Sequence, residues 1–221
     1  MVKLEPEVVF FIMGAQVTTT VVTTWVLVAA LAGLAAYAER HMHEHPSRWQ
    51  AVAQRGVQAL QRILGEVTGE SGEKYVPLVA TIAVFVLLAN LTSALPFVEA
   101  PTADINTPFA LAVIVFASVH YYGIRELGGW TYLKKFAQPL WILLPINILG
   151  NITRTLSLAI RLFGNMISHQ IIVAILLVIL PLVAPVLLEL FGLFVGVLQA
   201  YIFTILTIVY IGGAVRAGGE I

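Results

Sequence analysis

The chain has 221 residues, 59 % of them hydrophobic and only 11 % charged, with 12 Lys or Arg balancing 12 Asp or Glu and no cysteine. Soluble domains carry roughly 25 % charged residues, so this composition leaves no separate soluble domain, and a zero net charge offers nothing to nucleic acid. The absence of cysteine excludes disulfides and thiolate metal sites. An all-α polytopic membrane protein is expected, organised as one membrane domain over residues 1–221.

The first charge-free run, Val8 to Ala38, is far longer than the ~7–15 residue core of a signal peptide and lacks a basic region before it, so it reads as a retained span over 8–38. His41-Met-His43-Glu44-His45 matches the zinc-protease pattern H-x-x-E-H. Pro46 breaks any helix there and no third ligand is evident, which favours a plain basic membrane edge over a metal site. Ser47-Arg-Trp-Gln50 is a capping-box pattern, and Trp49, Val52, Leu60, Ile63 and Leu64 recur at helical spacing with Arg48, Arg55 and Arg62 on another face. This predicts a cytoplasmic helix over 47–65, lying on the membrane surface or docked on a partner subunit.

Further spans are expected over 76–97 and 108–124. Segment 39–74 holds five Arg or Lys and 125–135 holds three, whereas 99–104 holds only Glu99 and Asp104, so the first two are read as cytoplasmic and the N-terminus as outside. Arg216 then puts the C-terminus in the cytoplasm. The stretch 137–180 is too long for one perpendicular span and is expected as a tilted or bent helix, broken near Pro145 or Gly150, with a turn at Pro181 to Pro185. A last tilted helix over 184–214 completes a hairpin with it, giving five to six membrane helices in all.

Arg161 stands out in this frame, because 27 residues free of Asp, Glu, Lys and Arg follow it, from Leu162 to Leu188. A guanidinium at mid-membrane costs roughly 2.5 to 3.5 kcal/mol or more, so it should face protein or water. Arg154, Ser157, Arg161, Asn165 and Ser168 fall three, four or seven residues apart and form one polar helical face. Gln199 sits in mid-run of the last helix and is expected to approach Arg161. Asn90, Thr92, Asn147 and Asn151 read as interhelical glue, and Gly192-Leu-Phe-Val-Gly196 as a small-residue contact between helices.

The motifs Leu144-Pro-Ile-Asn-Ile-Leu-Gly150, Leu156-Ser-Leu-Ala-Ile-Arg-Leu-Phe-Gly-Asn-Met166 and Leu198-Gln-Ala-Tyr-Ile-Phe-Thr-Ile-Leu-Thr-Ile-Val-Tyr-Ile211 closely resemble subunit a of F-type ATP synthases, and Pro101-Thr-Ala-Asp104-Ile-Asn106-Thr is similar to that family too. The resemblance covers about 76–214. It implies a stator subunit that is no enzyme on its own and needs no cofactor. It would sit in a bacterial plasma membrane beside a ring of c subunits, with peripheral-stalk b subunits and lipid as further partners. H+ or Na+ would pass through two aqueous half-channels separated by Arg161, with Gln199, His169, Glu189, Asn165, Gln170, Ser168 and Asn151 as the other ion-path residues. Many members carry a carboxylate or histidine at the position of Gln170, and Glu or His at that of Gly192. Here Glu189 and His169 are expected to substitute as an ionisable pair within reach of one another. A secondary transporter whose arginine binds an anionic substrate remains the competing reading, with the His41–His45 metalloprotease behind it.

Overall fold

The computed structural model describes residues 8–12, 15–40, 48–69, 72–95, 98, 100–136, 141–180 and 184–216. Among the described residues, seven α-helices follow a short hairpin of strands β1 (Val8–Ile12) and β2 (Ala15–Thr18): α1 (Thr19–Arg40), α2 (Arg48–Thr68), α3 (Val76–Leu91), α4 (Asn106–Leu127), α5 (Gly129–Phe136), α6 (Leu144–Ile179) and α7 (Ala184–Arg216). Five helical stretches are long and apolar enough to cross a membrane: Thr19–Arg40, Gly72–Ala94, Asn106–Leu127, Trp141–Ile179 and Val186–Val215. The all-α membrane class is thereby borne out, with five spans among the described residues.

Proline marks where the later spans begin. Pro77, Pro108, Pro145 and Pro185 each fall in the first turn of α3, α4, α6 and α7, where a missing N–H removes no intrahelical bond. The expected break near Pro145 or Gly150 is therefore absent. Pro145 starts α6 instead of kinking it, and 36 residues run unbroken through Gly150 to Ile179. The first span also differs from expectation, because Val8–Ile12 and Ala15–Thr18 pair as antiparallel strands, with Phe10 opposite Val17 and Ile12 opposite Ala15. Val8, Val9, Phe10, Phe11 and Ile12 are β-branched or aromatic, side chains that suit a strand better than a helix.

The chain divides into two compact units. The first comprises Met1–His45, Ala83–Pro108 and Ile160–Ile202, the second Pro46–Ile82, Phe109–Ala159 and Phe203–Ile221. In the second, Leu64 of α2 packs with Tyr75, Val76, Val79, Ile208 and Ile211, and Leu60, Ile63 and Val67 flank them. A Cβ at Gly212 would overlap Val67 Cγ1, so α2 and α7 approach each other closely there. The later half of the predicted surface helix thus docks on its own chain, whereas Val52 in its first half is exposed. On α5, Tyr132 is buried beneath Gly123, whose Cβ would stand 2.9 Å from Tyr132 Cδ2. Burial pushes the Tyr132 phenol above its ordinary value.

In the first unit, Thr20 at the start of α1 donates to Asp104 Oδ2 at 2.7 Å. Asp104 Oδ1 accepts from the Asn106 backbone at 3.0 Å and from Asn106 Nδ2 at 2.9 Å, which caps the start of α4. Asn90 Nδ2 donates to the Gly196 carbonyl at 2.9 Å, fastening α3 to α7 as interhelical glue.

Candidate functional site

The length of α6 lets one helix carry both an apolar and a polar edge. Leu158, Leu162 and Met166, four residues apart, are 2 %, 0 % and 4 % exposed. Arg154, Ser157, Arg161, Asn165 and Ser168 on the remaining surface are all exposed. No hydrogen bond or ion pair to the Arg161 guanidinium forms among the described residues. Five consecutive members of one helical face left open, one of them a permanent cation, make a poor lipid-facing surface, since an intramembrane charge normally faces protein or water.

Gln199 of α7 is 3 % exposed, and its Oε1 accepts a hydrogen bond from Asn165 Nδ2 at 2.6 Å. Gln199 is thus bonded to Asn165, one turn along α6 from Arg161, and no bond between Gln199 and Arg161 forms among the described residues. The Gln199 Nε2 group has no partner among the described residues. A buried donor left unmade costs about 1–3 kcal/mol, which is tolerated where water or a ligand supplies the missing partner.

Beside that amide lies a cavity of about 300 Å³, lined by Asn165, Met166, Ser168, His169, Ile172, Leu188, Phe191, Gly192, Val195, Gly196 and Gln199. His169 Nε2 and Glu189 Oε2 stand 3.5 Å apart, so the expectation that these two residues lie within reach is met. That spacing suits an ion pair when the imidazole is protonated. Neither atom has a hydrogen-bond partner, and both are buried. Gly192 makes the arrangement possible: a Cβ there would lie 2.8 Å from His169 Nδ1 and closer still to Cε1 and Nε2. The two glycines of the Gly192–Gly196 motif thus do different work. Gly196 receives Asn90, as a small-residue contact should, while Gly192 houses an imidazole ring.

Gln170 is half-buried and does not line the cavity, and Asn151 belongs to the other compact unit, where its carbonyl accepts from Thr155 Oγ1 at 3.0 Å. No group of three or more His, Cys, Asp or Glu able to hold a metal occurs among the described residues, and His41, His43 and His45 lie outside them. Sequence reasoning missed the Thr20–Asp104 bond and the role of Gly192. An Asp two residues before a helix start does signal a cap. Nothing local signals a partner 84 residues away.

Comparison with known proteins covers nearly the whole chain. The model of the ATP synthase A chain family matches residues 21–212. The chain is 46 % identical over 213 residues to ATP synthase subunit a 1 of Chlorobaculum parvum, covering 95 % of this chain and 94 % of that one. It is 43 % identical over 212 residues to ATP synthase subunit a 2 of Bradyrhizobium sp. strain BTAi1, covering 96 % and 95 %. Against ATP synthase subunit a of Nitrosospira multiformis, identity is 42 % over 217 residues, covering 97 % and 86 %. A family model matching residues 21–212 and relatives 42–46 % identical over nearly the whole chain mean that this chain belongs to the ATP synthase A chain family, subunit a of F-type ATP synthases.

Proposed function

We propose that the chain conducts protons between two aqueous half-channels and the carboxylates of a c-subunit ring, with Arg161 as the barrier between them. The observation that carries this reading is the open polar face of α6, in which an unpaired Arg161 stands one turn from the Asn165–Gln199 bond. Arginine stays protonated at any accessible pH, so it cannot relay protons from one half-channel to the other. Facing a carboxylate on the ring, it favours the charged form and lowers that acid's pKa by about 1–3 units, which promotes release at this point and rebinding at the next water-filled stretch. His169, Glu189 and the adjoining cavity form the outer half-channel in this scheme. Ser168 lines the same cavity, and Gln170 and Asn151 are the remaining ion-path residues of this scheme. The distribution of Lys and Arg supports an N-terminus outside and a C-terminus in the cytoplasm of a bacterial plasma membrane, a parity consistent with five spans. Stalk b subunits complete the stator.

The deciding experiment replaces Arg161 in the assembled complex. Arg161→Ala is expected to abolish coupled ATP synthesis while leaving assembly intact, since it removes an insertion cost of a few kcal/mol. Vesicles holding that membrane sector should become passively permeable to H+. Arg161→Lys should fail as well, because a desolvated lysine can lose its proton. Substantial ATP synthesis by Arg161→Ala would overturn the barrier role.

A further inference from the structure

Helix α5 has a face that the ion path does not use. Only Gly128, at φ +79°, separates α5 from the membrane helix α4, and the span beginning at Trp141 follows five residues after α5 ends. Two covalent tethers of this length hold α5 at the membrane boundary. Its rotation is fixed as well. Tyr132 is 4 % exposed, sits over Gly123 and meets the His120 ring edge-on with centroids 5.9 Å apart. Turning Tyr132 inward leaves Trp130 at 73 % and Leu133 at 61 % exposed on the outer side. Lys134 Nζ lies 5.8 Å from the Trp130 ring centroid, in reach of a cation–π contact.

The charge on this edge is not compensated. Between Ile105 and Phe136 the sequence has one acid, Glu126, and its carboxylate is bound to Lys74 Nζ at 3.0 Å. Arg125 makes a single long bond, 3.4 Å to the Tyr121 hydroxyl, and so keeps most of its donors free. We propose that the outer face of α5, made by Trp130, Leu133 and Lys134, binds the headgroup of an anionic phospholipid, with Arg125 at the end of α4 adding positive charge at the same membrane boundary. Trp130 and Leu133 enter the acyl boundary, as interfacial tryptophans do. Lys134 takes the phosphate, and Trp130 holds the lysine over its own ring while the lipid is absent.

The test uses the full chain in vesicles, with Trp25→Phe, Trp49→Phe and Trp141→Phe leaving Trp130 as the fluorophore. Brominated phosphatidylglycerol should quench Trp130 more strongly than brominated phosphatidylcholine at equal mole fraction. Lys134→Gln should reduce that preference by about two- to fivefold, the range expected for one cation near an anionic surface, and added salt should reduce it further. A second measurement avoids the tryptophan replacements: phosphatidylglycerol retained through purification by the otherwise unaltered chain should fall in Arg125→Gln/Lys134→Gln. Equal quenching by both lipids overturns the headgroup preference. Absence of quenching, or shielding of Trp130 only when the other subunits are assembled, overturns the lipid as occupant and assigns the face to water or to a protein partner.

Discussion

The two compact units solve the problem of buried polarity in opposite ways. The second is closed by apolar contact, with Leu64, Val76, Val79, Ile208 and Ile211 fully or nearly out of solvent and the Tyr75 hydroxyl as its one buried side-chain atom without a hydrogen bond among the described residues. The first leaves five such atoms open: Asn90 Oδ1, Thr102 Oγ1, His169 Nε2, Glu189 Oε2 and Gln199 Nε2. Three of the five belong to residues lining the cavity or paired across its edge, so the imperfection is concentrated where ions are proposed to pass. Packing that is complete fixes a shape, whereas packing that is incomplete and polar leaves places for water.

Three substitutions separate these two kinds of order, taken from the largest expected effect on stability to the smallest. Leu64→Ala removes a fully buried side chain from the apolar cluster of the second unit, so the full transfer and cavity costs apply, about 2–5 kcal/mol. Thermal unfolding of the purified chain in nanodiscs should move down clearly, with ATP synthesis falling only as far as the amount of assembled complex falls. Gly192→Ala pushes a methyl into the His169 ring. Overpacking of this kind costs about 1–3 kcal/mol, yet the larger consequence should be kinetic. Displacing the imidazole from Glu189 should slow ATP-driven proton pumping by about 10- to 100-fold, since a shift near 1 Å in a positioned group has effects of that order. Equal pumping by Gly192→Ala and the parent would remove His169 from the path. Asn165→Ala deletes the 2.6 Å bond to Gln199 at about 0.5–1.5 kcal/mol. The unfolding midpoint should barely move, and the pumping rate is the readout that reveals whether Gln199 has lost its orientation.

Legibility from sequence followed the same division. Charge-free length and the parity of the charged loops together give five to six spans, and Arg161 is conspicuous because a permanent charge has few reasons to stand in such a run. The polar face could be drawn from spacing. Spacing could not identify the partner of Gln199, since Asn165 and Arg161 lie one turn apart on one face and only the packing of α6 on α7 chooses between them. Gly192 was read as a helix contact because a missing side chain is silent about what fills its place. Residues 8–18 were read as helix because charge-free length outweighed a local run of Val, Phe and Ile.

The bond from Thr20 to Asp104 also bears on how the chain is made. Apart from Thr20 and Leu27, α1 buries nothing in the folded chain, and the carboxylate that secures its beginning is synthesised 84 residues later. At roughly 5–20 residues per second, about 4–17 s pass between the emergence of the two groups. During that interval α1 must persist in the bilayer as a solitary helix, with its backbone bonds satisfied internally and its side chains facing lipid. Its exposed Trp25, Val26, Val28 and Leu34 suit it to that waiting period, and the buried hydroxyl of Thr20 is a latch that closes only once the loop before α4 has been translated.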